Sequence, residues 1–322
     1  MVKAAVGALS VARLTPLGLI RPTLDIAAVR PLLGFGARFQ ALGLLQLGQQ
    51  VALTACIGAV GGLTSLGLWS LAERVLQLPQ LLFRPLWGIG IPAYSRLLQA
   101  GEDVGRLVQR SVTTLAVVGG VVLAPLGGTA TAYIPLVFGE KWSEAAEILP
   151  GACMALAISA PVNICMVAML YAAGDAATPL RASIVHAFVR LPLALVGLHY
   201  FGLWALGAAW FAAQAVELPI VVRRTRTVVG LPVGREIVLP VLATATAGGA
   251  AWAVVDALDR GVPALAAGVG VSWLLFGTIM AVGDRPALRV AGEMSVRAWR
   301  STVDRMRGRH TESERVVSSP GS

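Results

Sequence analysis

The sequence predicts an all-α, polytopic helical membrane protein with about eight transmembrane helices. Three observations predict it. The chain has 322 residues, of which 56% are hydrophobic and 13% charged, against roughly 25% charged in an ordinary soluble domain. Its mean hydropathy is +0.74. The apolar runs reach the roughly 20 residues a helical span takes, without the two-residue alternation of a membrane barrel. So apolar a chain cannot cover itself with a water-compatible surface, which excludes a soluble enzyme, a secreted domain and a disordered protein.

The elements follow in order. Residues 1–30 read as an N-terminal linker or the stump of a further helix; Lys3 and the short apolar run after it are broken by Arg13, so no signal peptide is assigned. Spans are expected over 34–57, 63–93, 108–137, 146–172, 180–200, 203–222, 237–257 and 262–282. The first six form a lobe over 31–228, and 229–283 adds two more helices. Pro79, Pro85 and Pro92 are expected to kink the second span and to serve in gating, because proline removes a backbone hydrogen bond. The polar, basic stretch 284–322 reads as a cytoplasmic tail, with Leu288, Ala291, Trp299, Val303 and Met306 near one helical face.

The net charge of +9 reflects topology rather than nucleic-acid binding. Alternate loops differ sharply in basic residues: Arg21 and Arg30, then Arg96, Arg106 and Arg110, then Arg181, then Arg223, Arg224, Arg226 and Arg235 lie on one side, against Lys141 and Arg260 on the other. By the positive-inside rule, both termini are expected in the cytoplasm; the expected location is the inner (plasma) membrane. Trp69, Trp142 and Trp204 fall at expected outer span ends, where indoles suit the interface. Cys56, Cys153 and Cys165 sit in apolar runs as small core residues, and three scattered histidines make no ligand cluster, so neither metal nor cofactor is expected.

No motif of covalent catalysis is present. The informative residues are ionisable groups inside spans, since a charge at membrane depth costs several kcal/mol and is normally paired or faces a wet cavity. These are Glu73 and Arg74, then Arg84, then His186 and Arg190 at i, i+4 spacing, then Glu217, with Arg38 opening the first span. Gln46, Gln49 and Gln50 form a polar stripe that either bonds across helices or lines water. Glu217 is expected to pair with Arg223 or Arg224. Arg74 is the leading candidate for a wet cavity, because Glu73 lies about 100° away around the helix and guanidinium suits phosphate oxygens.

The stretch 66–97 resembles the seventh-to-eighth helix region of Wzx-type polysaccharide flippases, in the multidrug/oligosaccharidyl-lipid/polysaccharide exporter superfamily. The residues that carry this are Gly67, Trp69, Ser70, Ala72, Arg74, Leu76, Pro79 and the exit Pro92-Ala93-Tyr94-Ser95-Arg96. Phe138-Gly139-Glu140-Lys141-Trp142, Tyr171-Ala172-Ala173-Gly174-Asp175 and Tyr200-Phe201-Gly202-Leu203-Trp204 resemble later turns of that family in the same order. Glu73-Arg74 is similar in type and place to an acidic–arginine pair of the related lipid II flippases.

The resemblance implies the C-terminal lobe of a two-lobe transporter plus two extra helices, with the N-terminal lobe missing. It implies flipping of a polyprenyl-pyrophosphate-linked oligosaccharide by alternating access for cell-surface polysaccharide biosynthesis, lipopolysaccharide included, with no bond made or broken. Arg74 would face the central cavity and contact the pyrophosphate, and Glu73 would help position it or take part in gating; Arg38, Arg190 and His186 are further substrate-binding candidates. Expected partners are the lipid-linked oligosaccharide, the bilayer, and a missing lobe or second protomer; no nucleic acid is expected. The alternatives are an integral-membrane glycosyltransferase or polymerase of the same pathway, whose mark would be a paired-acid site or a large outer loop, and a non-transporting fragment.

Overall fold

The computed structural model describes residues 26–101, 103–230, 235–259 and 261–283, with backbone alone at 26–32, 82, 84–89 and 235. The expected N-terminal linker lies mostly, and the basic tail wholly, outside the described residues. Helix α1 covers Ile26–Ala100, α2 Val104–Gly128 and α3 Ala130–Phe138. A 3₁₀ turn over Glu140–Glu147 leads to α4, Leu149–Pro161, which continues through a π-helical segment, Val162–Val167, into α5, Ala168–Ala172. Helices α6 (Ala177–Phe201), α7 (Trp204–Val229), α8 (Arg235–Ala257) and α9 (Val262–Gly283) complete the bundle. No strand occurs among the described residues. The protein is therefore an all-α polytopic membrane protein; among the described residues seven helices are long and apolar enough to cross a bilayer.

The first of these seven contains two of the expected spans. Helix α1 has 75 residues and one non-helical position, Gly62, at φ 75° and ψ −175°. If α1 were straight, Phe39 and Gly90 would lie about 76 Å apart at 1.5 Å per residue. Yet the Phe39 ring packs 5.1 Å from that of Tyr171, and Gly90 sits against Ile164 and Ala168, about one turn further down the same helix. The chain reverses at Gly62, in a conformation open essentially to glycine alone. The prolines of the second arm do not break it: Gly62 is the one non-helical residue in α1.

The turns sort to two ends of the bundle. Gly62 shares its end with Trp142, which contacts Gly67, and with Leu198, which meets Gly61. Glu140, Glu144 and Asp259 border one cleft there. At the opposite end Asp175 pairs with Arg224 at 2.6 Å, Gln109 donates to Glu236 at 2.5 Å, and Gly283 abuts Leu239. Phe35, near the start of the described chain, reaches the same end through Tyr171. Counting α1 as two arms, the described residues make eight passes between these two ends.

Between apolar helices in lipid, close packing replaces water exclusion as the source of association, so small residues mark the crossings. A Cβ on Gly151 would run into the backbone of Gly207, and one on Gly207 into the carbonyl of Ile148, which fixes α4 against α7. Gly128 meets Gly248 in the same way, fixing α2 against α8. Phe276 of α9 fills the notch left by Gly120 and is fully buried. The Trp273 indole N–H donates to the Val121 carbonyl at 3.0 Å.

One expectation about the interface is overturned. Trp69 is not an interfacial anchor: it is 1% exposed and packs in the core with Ile57, Leu76 and Ile148. It lies on the inner face of the α1 hairpin, because Leu68, Ala72 and Val75 face the same way. Trp204, by contrast, is half exposed.

Candidate functional site

A cavity of about 440 Å³ lies inside the bundle, between both arms of α1, the α4–π junction, α6 and α7. It is polar where the bundle is apolar, because each element contributes at helical spacing. The first arm of α1 brings Gln46, Gln49 and Gln50, and the second arm brings Glu73 and Gln80. Helix α6 gives Ser183, His186 and Arg190, and α7 gives Trp210, Gln214 and Glu217. The positions 183, 186 and 190, and 210, 214 and 217, are i, i+3, i+4 and i+7 sets, which place each group on one helical face.

The α4–π junction supplies Ser159 and Asn163. Pro161 has no N–H to give to the helical ladder, and the chain passes directly into the π segment at Val162. Wider turns of this kind recur at functional sites in helices. Here the π segment carries Asn163 into the cavity wall.

Arg190 dominates the site. Its guanidinium lies 4.5 Å from the ring centre of Trp210 and 6.0 Å from that of Trp69. Its Nε is buried without a hydrogen-bond partner, and Glu73 is its electrostatic partner across the cavity. A cation held over aromatic faces is stabilised by the ring quadrupoles, up to about 2 kcal/mol when desolvated. The rings leave the guanidinium plane oriented and part of its donor fork unused.

A second polar cluster adjoins it. Glu217 is 6% exposed and His186 is 8% exposed. His186 Nδ1 lies 2.9 Å from Glu217 Oε2, a close pair that is not aligned as a hydrogen bond. The Gln214 amide donates to the same oxygen at 3.2 Å. The amide of Gln49 donates to the Ser183 carbonyl at 3.1 Å and ties the first arm of α1 to α6.

The sequence candidates separate clearly. Glu73, His186 and Arg190 meet in this cavity. Arg74 and Arg38 are exposed and are not among the residues lining it. The α1 hairpin turns Trp69 and Glu73 inward, so Arg74, about 100° further round, points away. Glu217 does not pair with Arg223 or Arg224 as expected; it holds His186, while Arg224 is engaged by Asp175. Pro79 is buried, Pro92 is exposed, and the side chain of Pro85 lies outside the described residues. The glutamine stripe both bonds across helices and lines the cavity. Sequence reasoning missed Asn163, Trp210 and Gln214. Trp210 and Gln214 carried a usable signal, being at i−7 and i−3 from Glu217.

Among the described residues no group of three or more acidic, histidine or cysteine side chains is placed to hold a metal. The three cysteines are free.

In a polytopic helical bundle, charged and polar side chains gathered in an apolar interior mark the cavity as the candidate functional site. Residues 5–147 match the model of a family described as polysaccharide biosynthesis protein. The match covers the α1 hairpin, which contributes Gln46, Gln49, Gln50, Glu73 and Gln80 to the cavity. Fold and match together support a membrane protein of polysaccharide biosynthesis. No curated protein and no solved structure matches the chain.

Proposed function

We propose that this protein translocates a polyprenyl-pyrophosphate-linked oligosaccharide across the inner membrane, by alternating access and as part of a larger transporter. On this reading a second lobe or a second protomer completes the transporter. Both termini are placed in the cytoplasm on this reading. The observation that carries it is Arg190: a guanidinium clamped over Trp210, with a buried Nε left unpartnered, in the wall of a cavity lined chiefly by amides, with two hydroxyls, an imidazole and two carboxylates. An unused guanidinium fork suits phosphate oxygens, and the amide wall suits sugar hydroxyls. The chemistry is binding and conformational exchange, with no covalent step. Arg190 replaces Arg74 as the residue proposed to hold the pyrophosphate. The test is translocation of a fluorescent lipid-linked oligosaccharide in proteoliposomes: Arg190→Gln abolishes it, and undiminished translocation by that variant refutes the assignment.

A second reading draws on one observation. Glu73 and Glu217 line the same cavity, and paired carboxylates are what acid–base chemistry on a sugar uses. An integral-membrane glycosyltransferase or polymerase would release free polyprenyl pyrophosphate from the lipid-linked sugar. Chromatography of the lipid after incubation decides, because a transporter returns it intact.

A further inference from the structure

The polar cavity has an apolar neighbour. A groove of about 750 Å³ runs between the first arm of α1 and α6, lined by Ala41, Leu44, Leu45, Gly48, Ala187 and Phe188, with Leu191 and Pro192 at its far side. Gln49 belongs to both the groove and the polar cavity. It spans the partition with its amide bonded to the Ser183 carbonyl. Leu44 is 71% and Phe188 77% exposed, so the groove faces the lipid side of the hairpin. From Ala41 to Gln49 it extends about 12 Å along the helix.

We propose that this groove holds the proximal part of the hydrocarbon chain of a lipid whose anionic headgroup occupies the cavity at Arg190. The inference rests on the reading of the cavity as a headgroup site. Its basis is continuity: a single residue separates a charged, amide-rich cavity from an apolar channel, and the two together have the polarity of an amphipathic ligand. Gly48 forms part of the floor. A Cβ there would meet nothing within 4 Å, so the position is open space and not a helix crossing. The chain leaves the cavity past Gln49 and lies along Gly48 into the bilayer.

The open space at Gly48 gives the test. Gly48→Phe puts a ring into the groove from a position where a Cβ meets nothing within 4 Å, and Gly36→Phe, likewise open at its Cβ and outside the groove, controls for an added ring on the same helix arm. Binding of farnesyl pyrophosphate and of inorganic pyrophosphate is measured on the full chain in nanodiscs. Gly48→Phe is expected to weaken the farnesyl ligand about tenfold or more, as overfilling a packed site does, and to leave pyrophosphate within about twofold. A diazirine on the farnesyl chain is expected to label 41–49 and 187–192. Equal effects of Gly48→Phe on both ligands, no effect on either, or labelling confined to other helices overturns the groove assignment. The pyrophosphate arm reads the headgroup site separately: loss of pyrophosphate binding in wild type overturns the cavity reading and, with it, the groove's role.

Discussion

The guanidinium of Arg190 stacks 4.5 Å from the ring centre of Trp210. The two residues come from neighbouring helices, α6 and α7, so the pair both orients the cation and joins the helices that form one wall of the cavity. Replacing Trp210 by Phe keeps a ring with a weaker quadrupole, and replacing it by Leu keeps only bulk. Pyrophosphate affinity is expected to fall in the order Trp, Phe, Leu, by about 1–2 kcal/mol in total. Equal affinity across the three shows that the stack does not position Arg190.

Arg190 is also a countercharge. Glu73 lines the same cavity and attracts the guanidinium, so removing Arg190 leaves a half-buried carboxylate without its countercharge. Arg190→Ala should therefore lower the thermal midpoint in detergent, and adding Glu73→Gln should restore most of the loss without restoring ligand binding. Failure of Glu73→Gln to rescue stability would show that the two charges are not coupled.

Glu217 makes the same argument on a smaller scale. Glu217→Gln keeps an acceptor for Gln214, whereas Glu217→Ala leaves that buried donor unmet at about 1–3 kcal/mol. The expected result is near-normal melting for the amide and a clear loss for alanine. Identical melting of the two variants contradicts the contact assignment.

At the opposite end from Gly62, Asp175 accepts from the Thr178 N–H and hydroxyl at 3.0 and 2.8 Å and pairs with Arg224 at 2.6 Å. Partial burial pushes its pKa up, but the Arg224 and Thr178 contacts outweigh this and hold the carboxyl below its ordinary value. A depressed carboxylate stabilises the fold above its unfolded pKa of about 3.9, and the contribution disappears as pH falls through the lower folded value. Asp175→Asn should therefore be less stable than wild type at neutral pH, by up to about 1 kcal/mol given the exposure of Arg224. The difference should vanish once the pH has fallen through that lowered folded value. A gap that persists at that acidity contradicts the linkage.

The hairpin and crossings make backbone predictions. Gly62→Ala places a side chain at φ 75° and should cost about 1–3 kcal/mol. Gly207→Leu would force α7 off Ile148 and should be worse, whereas Gly36→Leu should be nearly neutral. Melting curves of the three variants rank them.

Much of this was legible in the sequence. The glutamine stripe and the His186–Arg190 spacing identified faces that the structure turns into the cavity. The identity of the inward residue in Glu73-Arg74 was not legible, since two neighbours on a helix differ only by rotation. That rotation is set by the packing of Trp69, Ala72 and Leu76 in the hairpin core. The partner of Glu217 was missed for a related reason: sequence proximity favoured Arg223 and Arg224, while its neighbour in space lies 31 positions back across the α6–α7 turn, at His186. Asn163 depended on the π segment after Pro161, which shifts the register of every residue beyond it.

The central claim is that the Arg190 cavity recognises a pyrophosphate group. Its most direct measurement is calorimetric titration of inorganic pyrophosphate into the purified chain and its Arg190→Gln and Arg74→Gln variants. The account predicts binding to the wild type and to Arg74→Gln, and none to Arg190→Gln. Binding that survives Arg190→Gln, or that is lost with Arg74→Gln alone, contradicts it.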